Sequence, residues 1–268
     1  MQIAIQEYGH ANFQRLNDFD VSKKSLEQLA IHIARVGEII CGHNMQHLLG
    51  VNLLHKHFQL DENEFLLKKI DKRTNTAQIK PTGVQDLACG VPYLWSFSKY
   101  SDGKHGMYPL EYVVDDGSIS DRVLQILENH TALASISEYI VANRVETLLG
   151  VCLLHESVSM SPAEVMVEET DSLQRVLTLS AQPESIADRI DVTETTWGFD
   201  FMSTADKEIS ITELDDGTIE IEKNGVTKLI RLRRGANRIS KILGDGGETV
   251  EGLCIACCKA HCIKHQAK

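Results

Sequence analysis

Six side chains able to ligate a metal fall within twelve positions near the end of the chain: Cys254, Cys257, Cys258, His261, Cys262 and His265. Cys254 and Cys257 have the CxxC spacing that lets two thiolates grip one ion, and His261 and His265 stand one helical turn apart. Together they form the Cys2His2 set that tetrahedral zinc accepts. The spacing departs from ordinary fingers, which place about twelve residues between ligand pairs; here three intervene. Alternatively, Cys254, Cys258 and Cys262 share one helix face and suit copper(I), which favours thiolates. Against both stands a reduced, flexible tail behind the linker Gly244-Asp245-Gly246-Gly247.

A second group is Cys41, His43, His47, His55 and His57. On a continuous helix His43 and His47 lie about 40° apart and one turn along, a chelating geometry, whereas His57 is about 21 Å from His43 along the axis and His55 points away. His43 and His47 are therefore the local metal pair, set against the plainer reading of exposed or hydrogen-bonded histidines. His55 and His155 form a third candidate. Each ends an apolar run, where a histidine can donate to the last helix carbonyls. The functional reading places them in a cleft with Glu64 and Glu164 as acid/base partners. Lys228, Arg231, Arg233, Arg234, Arg238 and Lys241 form a basic run without an acid. It suits nucleic acid, an anionic ligand or the acidic body of its own protein, or else a solvated strand end and linker.

The frame that must position these residues reads as an internal duplication. Leu48 to His55 (LLGVNLLH) matches Leu148 to His155 (LLGVCLLH) at seven of eight positions, offset by 100. Ala34, Glu38, Ile40, Glu64 and Asp71 recur at 134, 138, 140, 164 and 171, and Trp95 pairs with Trp197 after a two-residue insertion. An ordered series at nearly constant offset is the signature of a repeat. The division expected is 1–118 for the first α+β repeat, 119–234 for the second, and 235–268 for the linker and Cys/His-rich tail. The positions that differ, His43 and His47 against Asn143 and Thr147, are then the place to look for chemistry.

Each repeat is expected to begin with a long helix, over 23–56 and 120–156. Leu26, Leu29, Ile33, Val36 and Ile40 fall at helical spacing, and Gly42 and the His130-Thr131 region are plausible breaks. Near Leu54 and Leu154 the pattern is apolar on nearly every side, which predicts a buried helix. Gly50 and Gly150 within it point to close approach of another backbone. Strands follow at Phe65 to Leu67 and Val165 to Val167, and later around turns at Asp216-Gly217 and Asn224-Gly225, whose residues supply positive φ. The fold class expected is α+β, long buried helices followed by antiparallel strands, and a double hot-dog arrangement has this order.

Leu48 to Phe58 (LLGVNLLHKHF), its second copy and the Cys/His-rich end resemble a group of uncharacterised, mainly fungal proteins. The resemblance covers these segments and implies no activity.

Composition narrows the function classes. The net charge of −11 argues against a general phosphate-binding surface, since such binding rests on Lys and Arg replacing counterions. Met1 to Glu7 lacks a secretory signal pattern, and no apolar run is long enough to span a bilayer. Seven cysteines, four of them in the last fifteen residues, are no disulfide framework. A soluble, cytoplasmic protein that is not bound to a membrane is expected. Cys41, Cys89 and Cys152 read as small buried residues. Phosphate-loop, GxSxG, HExxH and dinucleotide motifs are absent.

Three functions remain. One is a metal-dependent enzyme, with zinc or copper, whose cleft lies between the repeats. Another is a non-enzymatic module binding a small molecule or protein, with a structural zinc tail. The third is nucleic-acid binding through residues 228–265. Metal analysis of the whole chain and of one ending near Leu243 separates them on this reading.

Overall fold

The structure is a computed structural model that describes residues 3–100, 103–115, 117–155, 157–161, 164–183, 185, 192–201, 209–213, 218–223, 226–231, 242–243 and 249–259, with side chains up to residue 199. It is mixed α+β, with a strongly curled sheet and few helices. The elements run β1 (Ile3–Ile5), α1 (His10–Gln14), α2 (Phe19–Lys24), α3 (Leu26–Gly42), β2 (Leu49–Leu53), β3 (Glu64–Asp71), β4 (Thr76–Gly83), a 3-10 turn (Val84–Cys89), β5 (Gly90–Lys99) and β6 (His105–Val114). There follow α4 (Ile119–Glu128), α5 (His130–Ala142), β7 (Leu149–Leu153), β8 (Glu164–Asp171), β9 (Val176–Pro183) and β10 (Val192–Phe201). The last strands are β11 (Ile209–Glu213), β12 (Thr218–Lys223), β13 (Val226–Arg231), β14 (Ile242–Leu243) and β15 (Thr249–Lys259).

Helix α3 carries the expected stripe: Leu26, Leu29, Ile33, Val36 and Ile40 are all buried. It stops much sooner than the apolar pattern predicts. Asn44 takes φ 57°, and the Met45 N–H bonds back to the Ile40 carbonyl at 2.9 Å. This left-handed cap satisfies the orphan carbonyls and turns the chain away. Arg144 (φ 58°) and the Val145 N–H to Ile140 carbonyl bond at 3.1 Å end α5 in the same way. The LLGVxLLH runs are thus strands β2 and β7, not helix. A strand covered on both faces reads as an unbroken apolar run, and periodicity alone does not separate it from a buried helix.

Strands β2 and β7 pair antiparallel with Val51 opposite Val151, while Leu49 faces Leu153 and Leu53 faces Leu149. The expected close approach at the glycines holds, across strands. A Cβ on Gly50 would sit 2.7 Å from the Trp197 carbonyl oxygen, and one on Gly150 would sit 2.3 Å from that of Trp95. Gly150→Ala is therefore expected to destabilise the fold by roughly 3 kcal/mol, with Gly50→Ala slightly milder. Urea unfolding monitored by tryptophan fluorescence reads both.

The sheet curls until it closes. In order around the ring the strands are β6, β3, β4, β9, β8, β15, β10, β2, β7 and β5, and β5 returns to β6. Most pairs are antiparallel, but β3–β6 and β8–β15 are parallel. Registers recur at the 100-residue offset: Val51 meets Val151 on one side of the ring, and Gln78 meets Thr178 on the other. Trp197 pairs with Val51 as Trp95 pairs with Val151. Helices α3 and α5 pack on each other and on the ring: α3 contacts β2, β10 and β15, and α5 contacts β5 and β6. Trp95, Trp197, Phe65 and Phe97 are among the largest fully buried side chains. The expected meander is present as a separate three-stranded antiparallel sheet, β11-β12-β13.

Candidate metal centre and buried polar cavity

Inside the ring lies a cavity of about 60 Å³, lined from eight strands: Asn52 on β2, Lys68 on β3, Tyr93 and Leu94 on β5, Glu111 on β6, Cys152 and Leu153 on β7, Met166 and Glu168 on β8, Leu177 on β9 and Thr196 on β10. This space admits a few water molecules, or an ion with a small ligand. His55 and His57, after β2, and Leu154, His155 and Ser157, after β7, also line it. Because β2 and β7 pair antiparallel, the two groups approach the cavity from opposite ends of the strand pair. Lys68 and Glu168, at equivalent positions of β3 and β8, both line the interior.

The histidines have a definite polarity. A backbone carbonyl only accepts, so the 2.7 Å contact between His55 Nδ1 and the Leu53 oxygen places a proton on Nδ1 and leaves the lone pair on Nε2. Burial pushes the His55 pKa down to about 4, against a smaller upward pull from that carbonyl, so the ring is neutral at neutral pH. His55 Nε2 lies 3.0 Å from His57 Nε2, and His57 Nδ1 lies 2.8 Å from Thr170 Oγ1. A hydroxyl donates or accepts. If Thr170 donates, His57 Nε2–H bonds to His55; if Thr170 accepts, both Nε2 lone pairs face one point. The second arrangement is that of a chelating pair. Two imidazole nitrogens ~2.0–2.1 Å from one tetrahedral zinc lie about 3.3 Å apart. Glu168 completes the cluster, with one ligand atom from each of His55, His57 and Glu168 within 4.8 Å of one another.

Behind the histidines the cavity is charged. The Lys68 side chain is 4% exposed, and its ammonium lies 3.8 Å from the centroid of the Tyr93 ring. The Tyr93 hydroxyl donates a short hydrogen bond to Glu111 Oε2. Burial raises the carboxyl pKa of Glu111, and burial together with the Glu111 charge raises that of Glu168 to about 7. Burial likewise lowers the Lys68 pKa, opposed by both glutamates. Cys152 is pushed up to about 12 by burial, which leaves an inert thiol. Such displaced acid and base groups in one cavity are typical of functional sites.

The other candidates fall elsewhere. His43 is the C-cap of α3 and Asn44 turns the chain, so the helical spacing that joined His43 to His47 does not exist. Extended backbone reverses the expected geometry, and it is His55 and His57, two apart, that meet. His55 and His155 follow strands, each with Nδ1 on the carbonyl two residues back, so neither caps a helix. Glu64 and Glu164 are not their acid/base partners. Each accepts the backbone N–H three residues before it, from Asp61 and Ser161 respectively. Glu64 also takes both arms of Arg175, and the Arg175 hydrogen bond holds its carboxyl below the usual range. Backbone bonding at Ser161 does the same for Glu164. Arg175→Ala is expected to cost about 1 kcal/mol, as for a partly exposed pair, by chemical denaturation, and to leave metal binding unchanged.

Cys254, Cys257 and Cys258 lie on β15 within the ring, opposite Trp197, Glu194 and Thr193, so the shared helix face does not form there. Ending the chain near Leu243 would remove a ring strand. His261, Cys262 and His265 lie outside the described residues, as do Arg233, Arg234, Arg238 and Lys241; Lys228 and Arg231 are on β13. Cys41 and Cys152 are buried as expected, whereas Cys89 is exposed. Among the described residues, no helix is long and apolar enough to cross a membrane.

No protein-family model, curated protein or solved structure matches this chain.

Proposed function

We propose that the protein is a zinc-dependent enzyme built on an internal duplication, with its metal held by His55, His57 and Glu168 in the lining of the ring cavity. The observation that carries this reading is the pair of Nε2 atoms 3.0 Å apart, each ring fixed through its Nδ1 by Leu53 or Thr170. Ligating histidines characteristically use their second nitrogen in this way, which sets the tautomer and the ring direction. Two histidines and a glutamate are a ligand set found in catalytic zinc sites, where a position left open holds water or substrate. The donors are nitrogen and oxygen, which disfavours copper(I) here. An ion held by His55, His57 and Glu168 would supply Lewis acidity and would lower the pKa of a bound water. Glu111 and Tyr93 form a hydrogen-bonded pair beside it, suited to holding a proton.

The duplication gives the site its asymmetry. Copies related by the 100-residue offset place Lys68 opposite Glu168 and His57 opposite Ser157, so a ring of repeated strands encloses one centre.

Zinc added to metal-depleted protein is expected to raise the thermal midpoint, because an ion that binds only the folded state stabilises it by about 2.7 kcal/mol at a hundredfold excess over Kd. The doubly substituted His55→Ala, His57→Ala chain should show no such rise. An equal rise in both would remove the assignment.

A further inference from the structure

We infer that the cavity binds a small monocarboxylate, held between the metal ion and the Lys68 ammonium. The inference rests on the zinc reading and adds the ligand class.

The first support is what Lys68 lacks. Its side chain is 4% exposed and lines the cavity, yet among the described residues it makes no hydrogen bond and no ion pair within 4.0 Å. Its one close polar contact is the face of Tyr93 at 3.8 Å. A ring face offers attraction to a cation but does not use three N–H donors. The charges of Glu111 and Glu168 act on the ammonium without an ion pair within 4.0 Å, so its donors face the cavity and suit an anionic acceptor there. Glu168 has the complementary shortage: among the described residues its carboxylate has no hydrogen-bond donor, and it faces the same space.

Charge decides the sign of the ligand. Around the space stand Lys68, Glu111 and Glu168, the phenol of Tyr93, the thiol of Cys152 and the imidazoles of His55, His57 and His155. With a divalent ion in place, cationic charge exceeds anionic by one even when both glutamates are ionised. One negative charge balances the site.

Shape decides the class. Phosphate recognition favours several converging donors, especially arginine forks, and this cavity offers one ammonium. One Asn52 N–H goes to Thr196 at 2.8 Å, and the Tyr93 hydroxyl donates to Glu111. Leu94, Leu153, Met166 and Leu177 give the remaining wall an apolar surface. A carboxylate with a short hydrocarbon part fits one cation, one metal position and that wall within about 60 Å³.

The test uses the whole chain loaded with cobalt(II), whose visible spectrum reports the donors on the ion. Propionate is expected to change that spectrum saturably, and propionamide, its neutral isostere, to leave it unchanged. Lys68→Met should keep the cobalt spectrum but weaken the propionate response at least about tenfold, as removal of a buried charge partner does. Lys68→Gln, read the same way beside circular dichroism, guards against a variant that fails to fold. If the parent binds cobalt but ignores propionate, the ligand inference falls and the metal reading stands. If the response survives unchanged in both Lys68 variants, or if phosphate produces it and propionate does not, the inference is overturned. A parent that binds no cobalt at His55, His57 and Glu168 sinks both.

Discussion

Replacing His57 by alanine is expected to weaken zinc binding at least about 100-fold, a loss of roughly 3 kcal/mol. The size follows from how few ligands the centre has. His55 and Glu168 alone leave two protein donors, fewer than the three that ordinary catalytic zinc sites use. His57 is also the ring whose second nitrogen rests on Thr170. Thr170→Val removes that support without touching a ligand, and an outer partner of this kind is worth about 10- to 100-fold in affinity. The two effects should therefore be graded, His57→Ala above Thr170→Val, in a competition titration with a zinc chelator. Equal, negligible effects would show that the histidines hold no ion. A large effect for Thr170→Val alone would point to a folding role for the loop.

Glu168→Gln is expected to have the second large effect, and it should act in opposite directions with and without metal. The Glu168 carboxyl has a pKa of about 7, raised chiefly by burial, whereas the unfolded chain loses that proton near the ordinary carboxylate value. Between those two values the unfolded state has released the proton and the folded state keeps it, so stability falls as pH rises. The full loss is at most roughly 3 kcal/mol, reached above pH 7. Removing the ionisable group removes the loss. Metal-depleted Glu168→Gln should thus gain on the parent as pH is raised from 5 to 8, with little difference near pH 4.5. His55 works with the other sign. Its pKa of about 4 means the unfolded ring takes up a proton first as pH falls through 6.5, so its contribution is lost on acidification and is the same in both proteins. With zinc present the order at pH 8 should reverse, because the parent keeps its carboxylate ligand and the glutamine variant does not. Denaturant midpoints at pH 5, 6, 7 and 8 decide the matter; parallel curves for the two proteins would contradict the buried carboxyl assignment.

Part of this frame was legible in the residues alone. The helix stripe from Leu26 to Ile40, the strands opening at Glu64 and Glu164, and the Asp-Gly and Asn-Gly meander were all readable, because each depends on neighbours in sequence. The LLGVxLLH runs misled. Buried on both sides, β2 and β7 have no alternation to betray them, and the left-handed cap at Asn44 and Arg144 carries no glycine to announce it. That single misreading moved the site. On a helix His43 and His47 meet and His55 and His57 part; on extended chain the reverse holds. Tyr93 and Glu111 meet across the β5–β6 hairpin, whereas Lys68 on β3 and Glu168 on β8 join them through pairing and ring closure between strands far apart in sequence. One signal for them did exist, since Lys68 and Glu168 stand 100 residues apart with opposite charge, directly after the apolar runs Phe65 to Leu67 and Val165 to Val167.

The most direct measurement is metal analysis of the whole chain, purified with zinc and desalted, beside His55→Ala/His57→Ala, Glu168→Gln, and a chain with Cys254, Cys257 and Cys258 changed to serine. One zinc per chain is expected in the parent and in the serine variant, and none at this centre in the histidine and glutamate variants. A parent without zinc, or an ion that stays with the histidine and glutamate variants and leaves with the cysteines, would contradict the centre proposed at His55, His57 and Glu168.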